Sequence, residues 1–203
     1  MSKRSRHSAD VLRTADTGAF SIDRRQEQYS NTACRRCGTG HCRDRSDPPS
    51  APLNDTGANF SSDFNSDFNI GSVVVVPALF LLGIRALDVV VISYGNNDHQ
   101  GGLLGIEPHI RIRKLISNRK DLSTKLPAQL CAYNRDWNWD GVEFYFLRSA
   151  LDYSSENNNS CVVQIRPKVG SVLLTGDIER EAEAQLERSC GRELASEVWS
   201  RAS

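Results

Sequence analysis

The chain has 203 residues, 39% of them hydrophobic, and its 25 Lys and Arg balance 25 Asp and Glu to a formal net charge of +0. That length suits one domain with a tail, and the balanced charge excludes a global basic field for gathering nucleic acid, so any such binding needs a local patch. No run approaches the ~20 apolar residues of a membrane span, and the basic start, Met1 to Arg6, has no apolar core behind it to make a secretory signal, so the chain as written is expected to be cytoplasmic.

Residues 1–52 are rich in Arg, Ser, Thr and Asp, poor in aliphatics, and show neither a period of two nor one of 3.6; they are expected to be disordered. Cys34, Cys37, His41 and Cys42 lie close together there. A structural zinc site usually needs two pairs separated by a folded stretch, which this segment lacks, so chance cysteines are the stronger reading. Asp55-Thr56-Gly57 opens the patterned part, and the tandem copy Ser62–Asn65, Ser66–Asn69 lengthens the loop after it. Val73 to Leu82 is a short apolar run that reads as strand or helix.

Leu87 to Ser93 is apolar and β-branched, as a buried strand is, and stops in the polar loop Tyr94-Gly95-Asn96-Asn97-Asp98-His99 before Gly101-Gly102 opens the next element. Alternate side chains leaving a strand end project to one side, so Tyr94, Asn96 and Asp98 are expected to converge, with the His99 imidazole beside the Asp98 carboxylate. An Asp-His pair in such a loop can hold a metal.

Further along, Gly101 to Ile106 should begin a helix, and Arg111 to Ile116 alternates apolar with basic residues as a half-exposed strand does. Trp137, Trp139 and the aromatics at 144–146 suit core packing better than base stacking. Val142–Leu147, Cys161–Ile165 and Ser171–Leu174 read as strands, the last two joined by a turn at Pro167–Gly170. Cys161 is expected to pack as a small hydrophobe, with Cys131 and Cys190 on separate elements. Asp177 stands where it could N-cap a following helix, and Ile178 to Trp199 reads as that helix, with Ala182, Leu186, Leu194 and Val198 on one face.

The segment from Ser93 to Gly102 resembles the Ser-His-x-Asp-x-Asp-His-x-Gly-Gly signature of the C-terminal metallo-β-lactamase-like domain of the ComEC family of DNA-uptake channel proteins. The resemblance continues, in order, through Asp55-Thr56-Gly57, Gly83-Ile84, Trp139-Asp140-Gly141-Val142, Asn157-Asn158-Asn159-Ser160-Cys161 and Leu174-Thr175-Gly176-Asp177-Ile178-Glu179. It implies an α/β fold, a partial metallo-β-lactamase-type αββα sandwich over residues 53–203, with 1–52 disordered or out of frame, and it makes Val73 to Leu82 the start of a helix. It also implies metal-dependent phosphodiester hydrolysis with two divalent cations, Zn or Mn, single-stranded DNA and a membrane-channel portion as partners, and a parent domain attached to the bacterial inner membrane.

Two departures fall on the chemistry: Tyr94 stands at the family's first His and Asn96 at its first Asp. A phenol stays protonated at neutral pH and a neutral amide lacks the charge that holds a cation. Asp98, with the catalytic role, His99 and Asp177 remain as implied metal ligands, with Asp55, Gly57, Gly101 and Gly102 beside the site. The family's later Pro-His-His-Gly-Ser block is not in this sequence. One weak cation or none, and an inactive domain, are therefore expected; the alternative is a non-catalytic DNA-binding or protein-interaction module on the same scaffold.

Overall fold

The computed structural model describes residues 11–13, 20–22, 50–62, 66–133, 136–147, 152–194 and 198–200. In chain order the first strands are β1 (Val11–Arg13), β2 (Phe20–Ile22) and β3 (Ser50–Asn54), followed by an antiparallel pair of β4 (Asn59–Ser62) and β5 (Ser66–Asn69). A π-helical turn, Gly71–Val75, runs into α1 (Val76–Leu81). Strand β6 (Ala86–Ile92) leads to two single-turn helices, α2 (Asn97–Gln100) and α3 (Leu103–Ile106). Then come β7 (Arg111–Ile112), β8 (Leu115–Ser117) and β9 (Ala128–Leu130), and after them β10 (Trp137–Trp139), β11 (Val142–Leu147), β12 (Val162–Arg166) and β13 (Val172–Leu174). The described chain closes with α4 (Arg180–Cys190) and β14 (Val198–Ser200).

Two sheets result. The first runs β1-β2-β3-β6-β8-β9, with β7 also on β6, and is parallel from β3 onward; the second runs β10-β11-β12-β13-β14 and is antiparallel except for its last pair. Three apolar layers stack these sheets between helices. Val75, Val76, Leu79, Leu103 and Ile106 cover one face of the first sheet. Its other face, through Val89, Val91 and Ile116, meets Phe144, Val163, Ile165 and Leu174 of the second. Ile178, Ala182 and Leu186 then cover Val162 and Leu173 on the far side. This is the helix-sheet-sheet-helix α/β arrangement that the family resemblance implied.

Strand β6 is apolar on both faces because both are covered, as in parallel sheets generally. It carries a bulge: Ala51 pairs with Leu87 but Pro52 with Val89, leaving Asp88 as the extra residue. The bulge turns Leu87 into the same layer as Val90 and Ile92 while Val89 and Val91 face the second sheet. The other neighbour of β6 breaks at the same level, into β7 and β8, with Arg113 N donating to Leu87 O (2.9 Å) and Val90 N to Lys114 O (2.9 Å). Asp88 accepts from Trp139 Nε1 (2.8 Å) and pairs with Arg113 (2.7 Å), tying the second sheet to the first.

Several expectations are revised. Arg111 to Ile116 is two short strands rather than one half-exposed strand, and Leu115, Ile116 and Ser117 are all buried. The second copy, Ser66–Asn69, is strand β5, antiparallel to Asn59–Ser62 with Phe68 opposite Phe60. The helix expected to reach Trp199 stops at Cys190, because Gly191 takes a left-handed conformation (φ 48°) that ends it; Val198 and Trp199 belong to a strand parallel to β13. Cys161 is buried but is not a lone hydrophobe: it is bonded to Cys131, with Cα atoms 5.9 Å apart.

Val73 to Leu81 is helical, and Pro77 lies where the π-helical turn passes into α1. Of the segment expected to be disordered, β1 and β2 are antiparallel and β2 pairs with β3, while Cys34, Cys37, His41 and Cys42 lie outside the described residues. Among the described residues no helix is long and apolar enough to cross a membrane.

Candidate metal centre

The end of β6 delivers Ser93 and Tyr94 into the sheet-to-helix loop, and α2 carries Asp98 and His99. Asn96 occupies the N-cap position of α2, yet its side chain makes no capping hydrogen bond; it donates instead to the Tyr94 hydroxyl (3.1 Å). That hydroxyl donates to Asp177 Oδ2 (2.7 Å), reaching 83 residues along the chain to the turn after β13. Asp177 does not cap α4, whose N-cap residue is Glu179. The loop holding it is fixed by Asn158, whose Oδ1 accepts from Glu179 N (2.7 Å).

His99 is gripped from behind by Asp55-Thr56-Gly57. Its Nδ1 lies 3.1 Å from Asp55 Oδ2 and 2.9 Å from Ser93 Oγ. Its carbonyl accepts from both Thr56 N (2.8 Å) and Thr56 Oγ1 (2.8 Å), and Gly57 O accepts from Gly102 N (2.7 Å). Asp55 has a left-handed backbone (φ 54°), unusual for a residue with a side chain, and is held there by Ser93 N (2.7 Å) and Ser93 Oγ (3.0 Å). Donating a hydrogen bond from Nδ1–H to Asp55 fixes the ring and turns Nε2 toward the opening of the site, the arrangement common behind metal-bound imidazoles. Gly101 and Gly102 brace this loop: a Cβ on Gly102 would stand 2.0 Å from Thr56 O.

On the front face, Nε2 lies 3.2 Å from Asp98 Oδ2 and 3.4 Å from Asp177 Oδ2. Asp98, His99 and Asp177 each offer one donor atom, all within 4.8 Å of one another. Two donors bound at about 2.0–2.1 Å to one tetrahedral cation stand about 3.3 Å apart, so these spacings suit a shared ion. His99 is 3% exposed, and its Nε2, like Asp177 Oδ1, is buried with no hydrogen-bond partner among the described residues. Such orphaned atoms are rare in folded proteins. The residues present therefore fit one cation.

Electrostatics favour positive charge at the same point. Burial alone would lower the His99 pKa, but the hydrogen bond and charge of Asp55, with the charges of Asp98 and Asp177, raise it to about 9. The Tyr94 phenol is pushed upward by burial, then by its hydrogen bond to Asp177 and the charges of Asp177 and Asp98, so it stays a proton donor. The ring lies against His99, with centroids 4.4 Å apart. Asp98 is the open member, its side chain 62% exposed.

The structure thus brings together Asp98, His99 and Asp177, with Tyr94 and Asn96 beside them and Asp55, Gly57, Gly101 and Gly102 as the frame. Sequence reasoning gave no role to Ser93 or Asn158, although both lie inside the motif blocks quoted above; their partners are 38 and 21 residues away.

No protein-family model matches the chain. It is 33% identical over 137 residues to competence protein ComA of Neisseria gonorrhoeae, a match taking in 64% of this chain and 19% of that protein. It is 29% identical over 144 residues to recombination protein 2 of Haemophilus influenzae (69% and 17%) and 26% identical over 136 residues to ComE operon protein 3 of Bacillus subtilis (59% and 17%). The chain spans less than a fifth of the length of these curated relatives. Among solved structures it is similar to a metallo-β-lactamase of Cronobacter sakazakii, HARLDQ motif mutant S60, at TM-score 0.49 and 13% identity over 76% of this chain and 68% of that one. It is also similar to CmlA, a diiron β-hydroxylase from Streptomyces venezuelae, at TM-score 0.45 and 13% identity over 93% and 34%.

Proposed function

We propose that this chain, a homologue of the ComEC family of competence proteins, serves DNA uptake as a domain that engages single-stranded DNA beside a one-cation site and does not cleave it at a useful rate. The observation that carries this reading is the donor set itself. Asp98, His99 and Asp177 converge, while the Tyr94 hydroxyl is committed to Asp177 and Asn96 to Tyr94. The membrane-channel portion of a longer parent protein would be the natural partner. The Cys131–Cys161 disulfide supports an oxidising, extracytoplasmic setting rather than the cytoplasmic one expected from the sequence.

Asp98, His99 and Asp177 would hold the cation, which when bound would supply Lewis-acid polarisation of a phosphoryl oxygen. The hydrogen bond that Nδ1–H donates to Asp55 keeps that proton on Nδ1, so that losing the other proton would bare the Nε2 lone pair for the cation. Asp98, its side chain exposed, would be the ligand that faces solvent. Tyr94 and Asn96 present a neutral hydroxyl and amide at a point where a second anionic ligand would be needed to hold another ion.

The test is a paired assay on single-stranded DNA with Mn²⁺ or Zn²⁺ alone as additive. Salt-sensitive binding without strand cleavage is the expected result. Cation-dependent cleavage that disappears in His99→Ala and Asp98→Asn would overturn the inactive reading and return the site to the hydrolases.

A further inference from the structure

We propose that Asn96 and Tyr94 form a positioning device for the cation site: a hydrogen-bond chain that orients the Asp177 carboxylate toward His99 and Asp98. The inference rests on the one-cation reading of the donor set and deepens it.

Asp177 arrives from a turn on the second sheet, next to Gly176 with its left-handed backbone (φ 57°), while His99 and Asp98 arrive from the first. Among the described residues Asp177 Oδ1 is buried without a hydrogen-bond partner. Among the same residues the hydrogen-bond donor that holds the carboxylate is Tyr94, at 2.7 Å from Oδ2. A carboxylate oxygen carries two lone pairs, so the phenol engages one and leaves Oδ2 able to bind a second group, with His99 Nε2 3.4 Å away.

Tyr94 is itself locked. It is 2% exposed, its ring leans on His99, and its oxygen accepts from Asn96 Nδ2 (3.1 Å). Each donor in such a chain polarises the next, strengthening the final bond to the carboxylate. The two residues that depart from the motif therefore bond to each other and then to a candidate ligand. The acidic cluster does not stand alone in pointing to an ion: His99 is more than nine-tenths buried, and its Nε2, which makes no hydrogen bond among the described residues, is aimed into the cluster.

Residues that orient a metal ligand from behind change metal affinity about 10–100-fold when removed. Calorimetric titration of the full chain with Mn²⁺, and absorption spectra with Co²⁺, make the test. Wild type should take up one ion, and His99→Ala should abolish uptake. Tyr94→Phe, which keeps the ring and deletes only the hydroxyl, should still take up one ion but about tenfold or more weakly, with altered Co²⁺ bands because Asp177 is no longer held. Asn96→Ala, at an exposed loop position that leaves the core untouched, should weaken uptake by a smaller factor in the same direction.

If Tyr94→Phe and Asn96→Ala bind as tightly as wild type with unchanged Co²⁺ spectra, while His99→Ala does not bind, the positioning role is wrong and the cation site stands. If wild type takes up no ion, or His99→Ala binds like wild type, the cation reading itself is wrong, and the positioning role goes with it.

Discussion

His99 faces two opposed claims on its Nε2: a proton, held there by the carboxylates around it, and a cation, which needs the lone pair. Its folded pKa of about 9 lies above the ordinary ~6.5 of an unfolded histidine. The stabilisation it gives the metal-free protein is therefore full below pH ~6.5 and lost as pH rises through about 9. Melting curves of metal-free protein should show a falling midpoint across that window, and His99→Gln should flatten the fall; equal slopes in the two proteins would assign the titration elsewhere. Mn²⁺ must displace the same proton, so apparent affinity should rise about tenfold per pH unit between ~6.5 and ~8.5. The Asp98–His99 pair was legible because both residues sit in one loop. The grip on Nδ1 was not, since Asp55 and Ser93 meet only when β3 and β6 pair, and local spacing carries no record of that partner.

At the scale of elements, the loop between β6 and α3 works because backbone passes close to backbone. Gly102 N donates to Gly57 O, and a Cβ on Gly102 would lie 2.0 Å from Thr56 O and 3.0 Å from Gly71 N, all main-chain atoms that cannot swing aside. Gly102→Ala should therefore cost about 1–3 kcal/mol and, by pushing Thr56 off the His99 carbonyl, weaken cation uptake as well. Thermal melting and Mn²⁺ titration of the variant check both; a loss of stability with unchanged uptake would show that the Asp55-Thr56-Gly57 turn does not set the position of His99. Strand β6 could be read directly from its β-branched run. The end of α4 could not, because the apolar spacing of Leu194 and Val198 continues the helical pattern past Gly191, where α4 ends in a positive-φ residue and a short 3-10 turn follows. Val73 to Leu82 fits either element by pattern alone, and packing of Val75, Val76 and Leu79 against the first sheet decides it.

At the scale of the whole molecule, the site straddles the seam between two sheets, with His99 and Asp98 on one side and Asp177 on the other, so its geometry depends on how firmly the sheets are joined. Asp88 with Trp139 is one clasp. The disulfide is another: Cys131 follows β9 at the edge of the first sheet, and Cys161 precedes β12 in the second, 30 residues later. Cys161 N also donates to Ser93 O (2.8 Å), so this clasp reaches the residue that supports both Asp55 and His99. The pairing was not legible in the sequence because Cys161 lies against an apolar strand, where a lone cysteine packs equally well. Closing a loop of that length by a cross-link is worth about 3–4 kcal/mol in the chain-entropy account, and about 2–4 °C of melting temperature attaches to each kcal/mol in a chain of this size. A reductant should thus lower the wild-type midpoint by about 6–16 °C and loosen Mn²⁺ uptake, while a Cys131→Ala/Cys161→Ala variant, already lowered, should not respond. A wild-type midpoint indifferent to reductant would mean that Asp88, Trp139 and the apolar layer between the sheets hold the seam by themselves.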